Sequence, residues 1–139
     1  MSQLQSHHVG ISVSDLDRCE TFYRDELGFE VVDRFTVSGE TFSTVVGVDG
    51  ASGRFVHLDA NGTLVELVEY EPAVEPLDDA ELHRPGTGHV GFTVTDLDTF
   101  VDELSTTVDV RVGPVTTESG TRLCFFRDPE GNQIEVLEA

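Results

Sequence analysis

His8-Val9-Gly10-Ile11-Ser12-Val13-Ser14-Asp15-Leu16-Asp17 returns later in the chain as His89-Val90-Gly91-Phe92-Thr93-Val94-Thr95-Asp96-Leu97-Asp98. Both copies alternate apolar residues with small or polar ones and then reach an acid able to cap a helix. Further out, Gly62-Thr63-Leu64-Val65-Glu66-Leu67-Val68-Glu69 is matched by Gly131-Asn132-Gln133-Ile134-Glu135-Val136-Leu137-Glu138. The first motif recurs after 81 positions and the second after 69, so the first copy holds 12 extra residues between its motifs. A duplicated unit that twice offers one His and one Glu reads as a two-fold cradle for a metal ion.

Each copy opens with a period-two run that predicts a strand: Val9, Ile11 and Val13 face one way in the first, Val90, Phe92 and Val94 in the second. Ser14 or Asp15 then caps a helix with apolar positions Leu16, Cys19, Phe22, Tyr23 and Leu27, stopped by Gly28. The second helix starts at Thr95 or Asp96 and carries Leu97, Phe100, Val101 and Leu104 at helical spacing. Strands are expected over 29–37, 55–58 and 64–68, the last two around an Asp59-Ala60-Asn61-Gly62 turn. The second copy repeats them over 111–115, 123–127 and 133–137, with a turn at Asp128-Pro129-Glu130-Gly131. Between the first copy's strands, Phe42, Val45 and Val46 within 40–48 suit a short helical turn.

The pattern predicts an α+β fold of paired βαβββ modules, forming a cupped, barrel-like mixed sheet with the helices outside. Residues 1–71 would be the first module, 72–86 a connector and 87–139 the second. The connector holds three of the five prolines and part of the acid cluster Glu71, Glu75, Asp78, Asp79 and Glu81, which reads as a solvated face. One module cannot bury both faces of its sheet, so two must pair, within one chain or by exchange between two.

Strand parity selects the candidate ligands. Val65 and Leu67 should partner Val9 and Ile11 on the helix-covered face, which puts Glu66 on the face of His8. Ile134 and Val136 likewise place Glu135 beside His89. A carboxylate among branched apolar neighbours is costly unless it is paired or bound to a cation. Two imidazoles and two carboxylates neutralise a divalent ion and leave positions for water or substrate. Taken singly, each of the four is better explained without a metal, Glu66 and Glu135 as exposed residues on one-sided strands and the two His as polar lining; the shared duplicated register favours the metal. Glu69 and Glu138 are duplicated too, but with the opposite parity, and read as solvated strand ends. His7, His57 and His83 lack repeated counterparts, so surface or loop roles suffice. Arg34, Arg54, Arg122 and Arg127 could meet an anionic substrate, but most are expected to serve as salt-bridge partners.

The 139 residues carry 27 acids against 8 bases, a net charge of −19, and every base is Arg. Such a surface repels nucleic acid and anionic membranes, which excludes both as natural partners. An acid-rich, Lys-free surface resembles those of proteins from salt-loving organisms. Cys19 and Cys124 stand apart among apolar neighbours and predict buried free thiols in a reducing cytoplasm. No run approaches the ~18 apolar residues of a membrane span. Walker-type and dinucleotide Gly-rich loops, a Ser elbow and a nucleophilic Cys setting are all missing from the sequence.

With His8-Val9-Gly10-Ile11-Ser12-Val13, Asp15-Leu16, Phe22-Tyr23-Arg24 and Leu27-Gly28-Phe29, the chain resembles the vicinal oxygen chelate superfamily of glyoxalases, bleomycin-resistance proteins and extradiol dioxygenases. Val65-Glu66-Leu67, Gly88-His89-Val90-Gly91-Phe92 and Asp128-Pro129-Glu130-Gly131-Asn132-Gln133-Ile134-Glu135 complete the likeness over nearly the whole chain. The resemblance to glyoxalase I-like and methylmalonyl-CoA epimerase-like members implies a divalent metal (Ni, Co, Zn, Mn or Fe) held by His8, Glu66, His89 and Glu135. It implies proton abstraction next to a carbonyl, with Glu135 as general base and Glu66 returning the proton. The implied substrate is a small molecule with adjacent oxygens, and the implied assembly a homodimer. Bacterial glyoxalase I-like sequences often place an Arg for the glutathione carboxylate where this chain has Ser12, and an Asn where it has Tyr70. A different thiol adduct, a CoA thioester or another α-oxygenated carbonyl compound then enters as the candidate substrate. An Fe(II) dioxygenase using His8, His89 and Glu135, and a ligand-sequestering resistance protein, are the rival readings within the same family.

Overall fold

The computed structural model describes residues 2–77 and 81–139, so Asp78 and Asp79 of the acidic connector lie outside the described residues. The chain divides into two compact units, Met1–Pro76 and Leu77–Ala139, a division that falls inside the 72–86 segment. The class is α+β. Its strands form two four-stranded mixed sheets, one in each unit, rather than a single closed barrel.

The first unit contains β1 (His8–Ser12), α1 (Leu16–Asp25), β2 (Glu30–Ser38), α2 (Glu40–Val46), β3 (Ser52–Asp59) and β4 (Leu64–Glu71). Its sheet runs β1-β4-β3-β2, with β1 parallel to β4 and the other pairs antiparallel. The second unit contains β5 (His89–Val94), α3 (Leu97–Glu103), β6 (Asp109–Thr116), β7 (Arg122–Arg127) and β8 (Gln133–Glu138), in the equivalent order β5-β8-β7-β6. The extra residues of the first copy are largely accounted for by α2, which has no counterpart among the described residues of the second unit.

Local chemistry explains the helix starts. Asp15, in extended conformation, accepts from the Arg18 amide at 3.1 Å, and Asp96 accepts from Thr99 at 3.0 Å. These bonds satisfy helix amides that have no intrahelical partner, and the bond from Thr99 pulls the Asp96 carboxyl below its ordinary pKa. Past α1 the backbone turns left-handed at Gly28, with φ +73°, where a side chain would be strained.

α1 and α3 each cover one face of their own sheet. Leu16, Cys19, Phe22 and Tyr23 of α1 are buried with Val56, Leu58, Val65 and Leu67 of β3 and β4. In the second unit Leu97 is buried with Cys124, Phe126, Ile134 and Val136. Both cysteines are free and fully buried, and burial pushes the Cys124 thiol up. Phe100, Val101 and Leu104 are only partly covered, so the second core is the thinner of the two.

Glu69 and Glu138 are not solvated strand ends. Their parity turns them toward the helices, where Glu69 Oε2 accepts from the Leu16 amide at 3.1 Å and Glu138 Oε2 from the Leu97 amide at 3.0 Å. Arg54 bridges Asp17 and Glu69, and Arg122 bridges Asp98 and Glu138. Arg34 pairs with Glu20 through two nitrogens, at 2.8 and 2.9 Å. Among the described residues, no helix is long and apolar enough to cross a membrane.

Candidate functional site

The registers deliver the expected parity. Val9 pairs with Val65 and Ile11 with Leu67, which puts His8, Gly10 and Glu66 on the face away from α1. In the second unit Val90 pairs with Ile134 and Phe92 with Val136, so His89, Gly91 and Glu135 share the corresponding face. Gly10 lies directly opposite Glu66, and Gly91 opposite Glu135. Within each unit His and Glu converge: His8 Nε2 is 3.6 Å from Glu66 Oε1, and His89 Nε2 is 3.3 Å from Glu135 Oε1.

The two pairs have nearly the same exposure. Both histidine side chains are 40 % exposed, whereas Glu66 and Glu135 retain 15 % and 18 %. The carboxylates are thus largely withdrawn from solvent while the imidazole edges remain accessible. Bonds of about 2.0–2.2 Å from one ion to an imidazole nitrogen and a carboxylate oxygen leave these donors roughly 3.0–3.5 Å apart. Each pair therefore fits two adjacent positions around a divalent ion with little adjustment. Among the described residues, no group of three or more His, Cys, Asp or Glu side chains has the arrangement to hold a metal ion by itself.

One functional neighbour escapes sequence reasoning. His57 is not a surface or loop residue. It sits on β3 directly opposite Glu66 in the β3–β4 register, 14 % exposed, with Nε2 2.7 Å from Glu66 Oε2. An ionised carboxylate only accepts, so the imidazole is the donor. The His57 ring also stacks with His8 at 6.2 Å and meets the edge of Phe35 at 5.1 Å. His7 contributes as well, its Nδ1 lying 2.8 Å from Nδ1 of His8, where one imidazole donates and the other accepts. The signal for His57 was available in the hairpin: counting outward from Asn61-Gly62 brings position 57 against 66.

The duplication does not extend to these supports. Gly88 precedes His89, and the residue opposite Glu135 is Phe125, whose ring meets His89 at 5.4 Å. Beyond Glu66 on the same face, Tyr70 lies near Phe42 of α2 and Phe55 of β3, at 6.3 and 6.4 Å. Gly53 makes room for this aromatic cluster, since a Cβ there would come within 2.9 Å of Phe55 and 3.2 Å of Phe42. The rest of the second site-bearing strand is set by its turn. Asp128, only 4 % exposed, accepts from the amides of Glu130 and Asn132 and from the Asn132 side chain, fixing the entry into β8.

Comparison with known proteins gives consistent relatives. Residues 5–136 match the family described as Glyoxalase/Bleomycin resistance protein/Dioxygenase superfamily. The uncharacterized protein YwkD of Bacillus subtilis is 31 % identical over 137 residues, covering 95 % of this chain and 94 % of its own length. A 2-epi-5-epi-valiolone epimerase from an Actinomyces species is 26 % identical, with 94 % of this chain and 77 % of that protein covered. A glyoxalase family protein from Bacillus cereus superposes with a TM-score of 0.88 at 26 % identity, over 99 % of this chain and 95 % of the other.

Proposed function

The chain belongs to the glyoxalase/bleomycin resistance protein/dioxygenase superfamily, and on that premise we propose that it is a divalent-metal-dependent lyase or isomerase of the glyoxalase type. The supporting observation is the repeated convergence of one His and one Glu, in His8–Glu66 and His89–Glu135, on the sheet face opposite α1 in the first unit and opposite α3 in the second. We assign all four side chains as ligands of one divalent ion, Ni, Co, Zn, Mn or Fe. Two neutral imidazoles and two carboxylates balance its charge, and the strongly acidic surface favours cation uptake. The similarity to an epimerase supports the isomerase side of the assignment.

A bound ion would supply Lewis-acid stabilisation for the enediolate that forms when two neighbouring substrate oxygens are engaged. Glu135 takes the proton from the carbon next to the carbonyl as general base. Glu66 returns a proton, so the reaction needs no outside oxidant or reductant. The withdrawal of both carboxylates from solvent suits them to proton transfer within a sheltered site. Tyr70 and Ser12 at the positions noted above favour a thiol adduct other than glutathione, a CoA thioester or another α-oxygenated carbonyl compound. The working assembly is a homodimer in the cytoplasm.

The test is elemental analysis of the purified protein, followed by a screen with methylglyoxal–thiol adducts and methylmalonyl-CoA in deuterated water. One ion per four ligands, with deuterium entering the carbon next to the carbonyl, is the expected result. Oxygen consumption with a catechol would replace the proposal by the dioxygenase reading. Protein that stays metal-free on titration yet binds small molecules would replace it by the sequestering one.

A further inference from the structure

The two carboxylates of the proposed ligand set are copies of one another in sequence, but their surroundings are not. Glu66 has one oxygen committed: Oε2 accepts from His57 Nε2 at 2.7 Å, while Oε1 is the oxygen that faces His8. The donor is itself restrained. His57 lies within a strand, is largely buried, packs against the edge of Phe35 and stacks with His8. At the equivalent register position the second unit has Phe125, a side chain that offers no hydrogen bond to Glu135.

We propose that His57 is a positioning residue that fixes Glu66 as the stationary, single-oxygen carboxylate of the site, leaving Glu135 as the carboxylate free to move during turnover. The inference rests on the metal-dependent reading above and deepens it. A carboxylate tethered through one oxygen loses rotameric freedom before the ion arrives and presents the other oxygen in a fixed direction. Partners of this kind, bonded to a ligand rather than to the ion, set its orientation, and their loss costs about 10–100-fold in metal affinity. The duplication thus yields a division of labour: Glu66 keeps a fixed position from which it returns the proton, and Glu135 moves to take it. His7 strengthens the same asymmetry, because its Nδ1 contact orients His8, while Gly88 provides no such contact for His89.

The experiment is Co(II) titration of the metal-free full-length protein, followed by its visible absorption, with far-UV circular dichroism to verify folding. His57→Phe, which copies the second unit, should weaken Co(II) binding by about 10–100-fold and alter the Co(II) spectrum. His57→Gln, whose amide can still donate to Oε2, should stay close to wild type, and the shorter His57→Asn should not. This Gln-against-Asn contrast decides the matter even where His57→Phe folds poorly. Phe125→His should give Glu135 a tether, keep Co(II) binding and slow turnover at saturating metal. Wild-type affinity and an unchanged spectrum in both His57→Phe and His57→Asn overturn the role of His57 while leaving the metal site intact. A wild type that takes up no Co(II) overturns the metal reading itself, and the role of His57 with it.

Discussion

Glu69 Oε2 accepts a hydrogen bond from the backbone amide of Leu16 at 3.1 Å, so the last strand of the first unit caps the first helix of the same unit. Glu138 does the same for Leu97 in the second unit. A carboxylate at a helix N-terminus satisfies an otherwise orphaned donor and complements the positive end of the helix dipole. Glu69→Ala should therefore lower stability by about 1–2 kcal/mol. Urea unfolding with the metal absent is the measurement, and an unchanged midpoint would show that water replaces the carboxylate at no cost.

Asp128 accepts three hydrogen bonds in the turn that leads to Glu135. In Asp128→Ala the Glu130 and Asn132 amides lose their acceptor in a part-buried setting, at a cost of roughly 1–3 kcal/mol. Faster amide exchange across β7 and β8, with β3 and β4 unaffected, is the expected pattern. Uniformly faster exchange in both sheets would contradict a local role.

Under the metal-dependent proposal, a chelator should abolish turnover and a divalent metal should restore it. Glu135→Gln should retain part of its metal and lose turnover by at least 10²-fold, the size of a general-base contribution. Parallel measurement of bound metal and rate separates the two effects. Full activity in Glu135→Gln would remove that carboxylate from the reaction.

The Arg34 guanidinium beside Glu20 holds its carboxyl below the usual carboxylate range, with burial opposing the shift and Arg24 adding to it. A depressed folded-state pKa contributes stability that is present above the unfolded-state pKa and lost as pH falls through the folded one. In the wild type, that loss falls at the acid end, below the ordinary glutamate range. Glu20→Gln should be less stable than wild type at neutral pH and show a shallower acid decline. Denaturant titrations from about pH 7 to about pH 3 provide the test.

A net charge of −19 on 139 residues implies self-repulsion in dilute buffer. Potassium chloride shortens the screening length from about 30 Å at 0.01 M to about 3 Å at 1 M. The melting temperature should rise across that range, and more steeply than in a variant with several exposed acids neutralised. A flat profile would mean that the acids stand too far apart to repel one another appreciably.

Much of this architecture is legible because period-two alternation fixes the faces of a strand. Val9 and Ile11 against Val65 and Leu67 is a parity statement, and the registers repeat it. The same parity sets Glu69 and Glu138 apart from the candidate ligands, but parity alone does not reveal that a helix N-terminus waits on their side. His57 is hidden for a different reason: its partner lies across a hairpin, and a search for duplicated residues passes over a side chain that occurs in only one copy. The short α2 reads ambiguously because Thr41, Thr44, Val45 and Val46 are β-branched, while Phe42, near Phe55 and Tyr70, ties the segment to the sheet.

The parallel pairing of β1 with β4, and of β5 with β8, joins the first strand of each unit to its last. His8 and Glu66 therefore become neighbours only through the pairing of β1 with β4. A chain lacking β4 would carry the imidazole without its acid, so under the metal-dependent proposal its capture of an ion would report that this closing strand is in place.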